Sequence, residues 1–348
     1  MATITNIGMD LAKNVFFVHG VDEHGKTIIS RKLYRKQVAE FFAKLPSCTV
    51  GIEACASSLY WARTIEELGH EIRRIPAQFV VPYRRGNKTD ATDAAAICEA
   101  MQRPGMRFIP NKSQLQADIQ AVHRIRTGYI SSKTAAINQI RALLAENGII
   151  IPQGSKYIKE KVAFILGDES NGLSGIMRQM LHGLYEHILV LQEKIAQQDL
   201  LLSQISRNSE DCKRLQQIPG IGVITATLLL SLSGNVANCE KGRAFSAYLG
   251  LTPKEHSSGG KQRMGGITKR GNAYARTLLI HGARAVISQF FMGRTPYGGG
   301  AMHDWLKRLV ERRGVNKACV ALASKNARIA WRMLTQKTNF DVSLGATA

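Results

Sequence analysis

Acidic residues are few in this chain relative to basic ones, long apolar runs are missing, and cysteine never occurs in a metal-ligating pattern. No apolar stretch approaches the about 18 residues that a membrane span needs, which argues against an integral membrane protein. The opening Met-Ala-Thr-Ile-Thr lacks the charged start and apolar stretch of a secretion signal, so a cytoplasmic protein is expected. Six cysteines, at 48, 55, 98, 212, 239 and 319, are scattered with no Cys-x-x-Cys and no histidine pair at ligand spacing. That usage argues against a zinc site or a disulfide framework and fits a reducing compartment.

The charge imbalance is the strongest bulk signal. With 47 Lys and Arg against 26 Asp and Glu, the formal charge is +21, which implies a polyanionic partner. The basic residues are not gathered on one amphipathic helix, so nucleic acid is favoured over an anionic membrane surface. A chain of 348 residues exceeds a single typical core and is expected to form two or three domains.

Against this basic background, four carboxylates organise the first hundred residues. Asp10 ends an apolar run, Ile4 to Met9, that reads as a strand, and Glu53 ends a second one, Cys48 to Ile52. Asp90 and Asp93 follow a capping residue, Thr89, and sit one helical turn apart, about 5–6 Å at Cβ. Taken singly, such acids are edge residues or helix-start acids that favour the dipole. Together they can converge on a divalent ion, since carboxylate oxygen suits magnesium or manganese. Two such ions roughly 3.5–4 Å apart can clamp both oxygens of a phosphoryl displacement.

Strands at 4–9, 15–18, 27–33, 48–53 and 70–75, with helices at 37–44, 57–68, 77–83 and 90–102, predict a mixed sheet flanked by helices. That order, with acids ending the first and fourth strands, is the ribonuclease-H-like arrangement. Arg103-Pro104-Gly105 marks a boundary, so 1–105 is expected to be the catalytic domain of the four acids. A long-helix, coiled-coil region is expected over 106–208. One helix is predicted at 113–147, with Ile130, Ile137 and Leu144 seven apart, and another at 173–206. In the second, Leu181, Ile188, Ile195 and Leu202 alternate with Met177, Leu184, Leu191 and Ile205, interrupted by Gln198. The seam's partner is either the 113–147 helix of the same chain or another subunit; a hairpin of the two helices that also helps build an oligomer is the favoured arrangement.

The remaining segment, 209–340, is expected to be mostly helical, with a tail at 341–348 that frays. Ile218-Pro219-Gly220-Ile221-Gly222 between helical stretches reads as a helix-hairpin-helix signature, in which Gly220 and Gly222 allow close backbone approach to phosphate. An ordinary helix corner is the structural alternative. After Pro253 the next fifteen or so residues read as a Gly-rich loop in which Lys261, Arg263, Lys269, Arg270 and Arg276 surround Ser257 and Ser258. Clustered cations stabilise a phosphoryl transition state, and a serine there either attacks phosphorus or only hydrogen-bonds phosphate. Helices are predicted at 272–291 and 316–336, joined by a bend at Gly298-Gly299-Gly300.

The Asp, Glu, Asp, Asp tetrad, the helical middle, and the block Ile-Pro-Gly-Ile-Gly … Phe-Ser-Ala-Tyr-Leu-Gly-Leu-Thr-Pro … Ser-Gly-Gly … Thr-Lys-Arg-Gly-Asn resemble the DEDD transposases of bacterial insertion sequences. These are understood as guide-RNA-directed bridge recombinases, and the resemblance spans roughly 3–340. It implies a RuvC-like N-terminal domain, a coiled-coil middle and a C-terminal transposase domain carrying a serine nucleophile. Asp10, Glu53, Asp90 and Asp93 match the magnesium-binding acids, and Ser258, immediately before the glycine, matches the nucleophile; Ser257 beside it leaves that choice open. The resemblance further implies a non-coding guide RNA, double-stranded donor and target DNA, and a homotetramer (paired dimers) in which acids of one subunit meet the serine of another. A bacterial, nucleoid-associated location follows. The expected activity is RNA-guided DNA strand exchange through Mg²⁺ (or Mn²⁺) and a covalent serine–DNA intermediate. The alternatives are a RuvC-like nuclease or junction resolvase using water, and a non-catalytic nucleic-acid scaffold. No recognition element such as a zinc finger or basic zipper is present, consistent with base pairing as the source of specificity.

Overall fold

The structure, a computed structural model, describes residues 3–295 and 297–341. It divides between Ser113 and Gln114 into two compact units.

The first unit is built on five strands: β1 (Asn6–Leu11), β2 (Val15–Val21), β3 (Thr27–Tyr34), β4 (Thr49–Glu53) and β5 (Glu71–Ile75). Their order in the sheet is β3-β2-β1-β4-β5, antiparallel among the first three and parallel from β1 through β4 to β5. This is the mixed sheet predicted from the order of elements. Helices α1 (Val38–Ala43), α2 (Ser58–Glu67), the short α3 (Ala77–Val80) and α4 (Asp90–Met101) complete the unit.

Side chains alternate across the sheet, so its two faces serve two cores. Ile7, Met9, Val50 and Ile52 point to the side of α1 and α2 and join Val38, Phe42, Trp61 and Ile65 in a buried cluster. On the opposite face α4 contributes Ile97, Cys98 and Met101 to a second cluster with Val21 and Ile75. Gly8 and Gly51 lie under that helix. A Cβ on Gly8 would meet the Ala94 carbonyl at 2.1 Å and the Cys98 amide at 2.4 Å, and one on Gly51 would meet Met101 Sδ at 2.6 Å. The absent side chains are what let α4 settle directly onto β1 and β4.

The second unit begins with α5 (Gln114–Glu146), α6 (Lys156–Gly167) and α7 (Gly175–Arg207). The two long helices pair with each other within the chain, as the hairpin reading expected. Leu144 and Ile137 share a buried cluster with Leu181 and Ile188, while Arg126 reaches Asp199 at 2.5 Å, so the helices run antiparallel. The predicted seam residues Leu181, Ile188, Leu191 and Leu202 are all buried.

Beyond them come α8 (Glu210–Leu215), α9 (Val223–Ser231), α10 (Ser233–Ala237), α11 (Gly242–Tyr248), strands β6 (Pro253–Glu255) and β7 (Met264–Ile267), α12 (Ala273–Phe291), α13 (Ala301–Arg313) and α14 (Val315–Gln336). Their core joins Leu215, Leu229, Phe245, Leu279, Leu322 and Met333. Two local expectations change here. The predicted loop after Pro253 is an antiparallel hairpin, and the segment after the 298–300 bend includes a thirteen-residue helix, α13. The tail expected at 341–348 lies outside the described residues except for Asp341. Among the described residues no helix is long and apolar enough to cross a membrane.

Candidate active site

The tetrad assembles within the first unit because of strand direction and the two glycines. β1 and β4 are parallel with Met9 opposite Ile52, so the next residues, Asp10 and Glu53, emerge side by side at the same sheet end. Each acid lies two residues after a glycine, and two residues along a strand return to the same face. Gly8 and Gly51 therefore admit α4 on the face toward which both carboxylates point. Thr89 caps α4: its hydroxyl accepts from the Thr92 amide at 3.2 Å, while Thr92 Oγ1 accepts from the Thr89 amide at 3.0 Å. This box fixes the first turn and with it Asp90, which is exposed, and Asp93, which is half-buried.

The charges of the other three acids reach Asp10. Burial pushes the Asp10 carboxyl up to about 6, with further upward contributions from the charges of Asp93, Asp90 and Glu53, while a backbone hydrogen bond from Leu11 opposes them. Arg84 answers part of this negative charge, its Nε lying 2.5 Å from Asp93 Oδ1. The contact is an ion pair rather than a directed hydrogen bond, for both atoms are buried and neither has a hydrogen-bond partner. Sequence reading did not single out Arg84, nor the role of the two glycines; the repeated Gly-x-acid spacing was the available signal.

The serine stretch, in the second unit, forms the tip of the β6–β7 hairpin. Ser258 pairs with Lys261 across the turn, and the Lys261 amide donates to the Ser258 carbonyl at 3.1 Å. Gly259 and Gly260 between them both have positive φ, +56° and +75°. Two left-handed central residues define the tight hairpin turn whose twist suits antiparallel strands, and glycine occupies them without strain. The neighbouring serines differ. Ser257 Oγ donates to Glu255 Oε1 at 2.7 Å and accepts from the Arg263 amide at 3.3 Å. The Ser258 hydroxyl has no hydrogen bond among the described residues, and its side of the turn is exposed together with Lys261 and Arg263.

The remaining predicted binding residues separate into two kinds. Lys269 and Arg270 are exposed, whereas Arg276 Nη1 donates to the carbonyls of Leu249 and Arg270, both at 3.0 Å. Arg276 thus ties the Tyr248–Gly250 turn to the start of α12. Gly220 serves packing: with φ +89°, its missing Cβ leaves room for the Gly282 carbonyl of α12, which a Cβ would meet at 2.7 Å. Gly222 stands exposed at the start of α9 with open space around it.

Comparison with known proteins decides the family. Residues 212–295 match the Transposase IS116/IS110/IS902 family, and residues 7–148 match the DEDD transposase family of IS110 elements. A probable family 20 transposase of Pseudomonas aeruginosa is 43% identical over 96% of this chain and 98% of its own length. The transposase for insertion sequence element IS1111A of Coxiella burnetii is 42% identical over 98% of this chain and 92% of its own. That for IS1328 of Yersinia enterocolitica is 38% identical over 98% and 99%. The chain belongs to the IS110/IS116 family of transposases.

The transposase is accordingly an enzyme that cleaves and rejoins DNA, and it binds DNA to do so. Membership in the DEDD class points to use of a divalent metal. The residues fit such an ion: the donors are all hard carboxylate oxygens, burial and the charges of Asp93, Asp90 and Glu53 hold Asp10 above the usual carboxylate range, and Asp93 Oδ1 is buried without a hydrogen bond. As the side chains stand, no three acids among the described residues close to ligating distance.

Proposed function

We propose that this transposase exchanges DNA strands under the direction of a non-coding guide RNA, with Asp10, Glu53, Asp90 and Asp93 holding Mg²⁺ (or Mn²⁺) and Ser258 as covalent nucleophile. The observation that carries the serine assignment is the contrast at the hairpin tip. Ser257 is tied down by Glu255 and Arg263, while the Ser258 hydroxyl is exposed and unbonded beside Lys261. In the proposed step Ser258 Oγ bonds to phosphorus and loses its proton, and the bond from phosphorus to one deoxyribose oxygen breaks, that oxygen taking up a proton. Attack by the hydroxyl of a second strand reverses the same bonds and restores Ser258. Phosphodiester bonds are conserved throughout, so no external energy source is required.

Lys261, Arg263, Lys269 and Arg270 would hold the phosphoryl oxygens, and a divalent ion at the acids would supply Lewis-acid stabilisation of developing charge. Gly222, at the exposed start of α9, suits a backbone contact to duplex phosphate in a helix-hairpin-helix manner. Assembly as a dimer of dimers is part of the same proposal. It is supported by exposed apolar residues along the second long helix, among them Ile176, Met180, Val190 and Leu200. The chain is proposed to divide its work into a catalytic part, 1–105, a helical part, 106–208, and a transposase part, 209–340.

A strand-exchange substrate with a nick that traps cleaved ends tests the reading. A protein–DNA adduct is expected with the native chain and with Ser257→Ala, and its absence with Ser258→Ala. Cleavage that survives Ser258→Ala but not Asp10→Ala would instead assign attack to water, as in a nuclease or resolvase. Purification after co-expression with the element's flanking non-coding DNA should bring down a discrete RNA.

A further inference from the structure

We infer that Tyr34, Arg35 and Tyr60 form a stacking platform for an unpaired stretch of DNA, placed at the same sheet end as the tetrad. The register sets this location. Leu11, one residue after Asp10, pairs with Phe16, and Val15 pairs with Tyr34, so the ends of β1 and β3 and the start of β2 lie together. α2 starts just beyond Glu53 at that same end and brings Tyr60 and Trp61.

Several observations converge there. Tyr34 and Tyr60 are each 58% exposed, unusual for rings standing beside a well-packed core. The Arg35 guanidinium lies 5.8 Å from the Tyr60 ring and 5.2 Å from that of Trp61, and Lys32 Nζ lies 5.1 Å from the Tyr34 ring. Arg35 is held in place, its Nη1 donating to the Lys13 carbonyl at 3.2 Å and its amide to that of Asn14 at 3.0 Å. Beneath, Trp61 is buried against Phe16 with ring centroids 5.0 Å apart, so the platform rests on a rigid base. Residues 26–36 carry Lys26, Arg31, Lys32, Arg35 and Lys36 with no acid. Exposed aromatic faces interleaved with cations are the recognition chemistry of single strands: the rings accept unstacked bases and the cations follow the phosphates. A duplex keeps its bases stacked internally and offers only phosphates.

β3 is an edge strand, and edge lysines and arginines also keep sheets from adding to one another. That role explains the charge but not two exposed tyrosine rings, each set beside a cation, Tyr34 beside Lys32 and Tyr60 beside the fixed Arg35. DNA is the occupant because the platform adjoins the acids assigned above to DNA phosphodiester chemistry, on which reading this inference rests. A strand opened for exchange would pass from one to the other.

Binding of fluorescent oligo(dT), oligo(rU) and a duplex of mixed sequence to the full chain, measured by anisotropy in EDTA, separates the outcomes. Without divalent ions no cleavage intervenes, so binding is read independently of the tetrad chemistry. Tyr60→Leu is expected to weaken oligo(dT) binding about tenfold and Tyr34→Leu with Tyr60→Leu further, while Tyr60→Phe retains affinity. Duplex affinity should stay within about twofold, because its phosphate contacts are untouched. Unchanged unfolding temperatures would show that the variants are folded. Equal loss on duplex and single strand, or a loss confined to oligo(rU), would overturn the inference. So would unchanged oligo(dT) binding accompanied by new self-association in sedimentation, which would leave the patch as a guard of the sheet edge.

Discussion

Arg84 Nε stands 2.5 Å from Asp93 Oδ1, and both atoms are buried without a directed hydrogen bond. The guanidinium neutralises one acid of a crowded group, yet the poor alignment means it forms a weaker contact than a bidentate pair would. Arg84 and a divalent ion would compete for the same oxygen. Arg84→Gln is therefore expected to bind Mn²⁺ several-fold more tightly in calorimetric titration without DNA, while unfolding at lower temperature when the metal is absent. Weaker Mn²⁺ binding in this variant would mean that Arg84 orients Asp93 for the ion instead of competing with it.

Asp10 illustrates the cost of assembling like charges. Its carboxyl is raised to about 6 by burial first and then by Asp93, Asp90 and Glu53, whereas an unfolded chain would hold it near 3.8. The folded state thus binds the proton more tightly, and ionised Asp10 destabilises the metal-free protein above pH 6. Asp10→Asn should stabilise that form at pH 7 by about 1–2 kcal/mol, a figure reduced from the full shift because the group is half exposed to solvent screening. The advantage should shrink as pH falls through 6, where native Asp10 takes up its proton. Chemical denaturation in EDTA at pH 7.5 and 5 measures both, and strand exchange by the variant should be lost.

The glycines under α4 make a ranked prediction. At Gly8 an added methyl meets backbone atoms of Ala94 and Cys98, which cannot move without shifting the helix, whereas at Gly51 the nearest atom is the flexible Met101 thioether. Gly8→Ala should cost about 3 kcal/mol or more and Gly51→Ala distinctly less. Because α4 carries Asp90 and Asp93, Gly8→Ala should also weaken divalent-ion binding. Equal effects of the two substitutions in urea denaturation would contradict the close approach described.

How much of this was legible beforehand depended on whether the signal was local. Strands β1 to β5 and helix α4 could be read from alternation, the Thr89 cap and the acids at strand ends, because each is a short-range pattern. The seven-residue repeat of Leu181 to Leu202 revealed an apolar seam but left open whether α5 or another subunit fills it, because a periodic stripe does not name its partner. The Ser258 turn was harder: its short flanking strands carry little apolar alternation, and the hairpin is set by Gly259 and Gly260 adopting positive φ together. Arg84 could not be foreseen from spacing, since its partner lies nine residues on across a bend. The close approach of Gly220 to Gly282 of α12 was not legible either, since the two are distant in sequence and only the packed chain brings them together.

A last prediction concerns His123, which no reading of the sequence singled out. It is only 2% exposed on α5, with Nε2 3.1 Å from Thr227 Oγ1 and Nδ1 3.3 Å from the Tyr274 hydroxyl. The Thr227 hydroxyl already donates to the Val223 carbonyl at 2.9 Å, so it accepts from His123 Nε2–H and leaves Nδ1 to accept from Tyr274. Only a neutral imidazole satisfies both contacts. Burial, reinforced by the charge of Arg126, pulls this histidine down to about 4 from an ordinary 6.5. The unfolded chain therefore binds the extra proton between those values, and stability falls as pH drops from 6.5 toward 4, by about 2 kcal/mol from this group. Other titrating groups act over the same range, so the measurement is a difference. Urea midpoints of the native chain and His123→Gln, which keeps a donor and an acceptor but cannot charge, should converge on acidification, the native chain losing more. Parallel decline of the two would show that His123 is already protonated in the fold and that the hydrogen-bond assignment across α5, α9 and α12 is reversed.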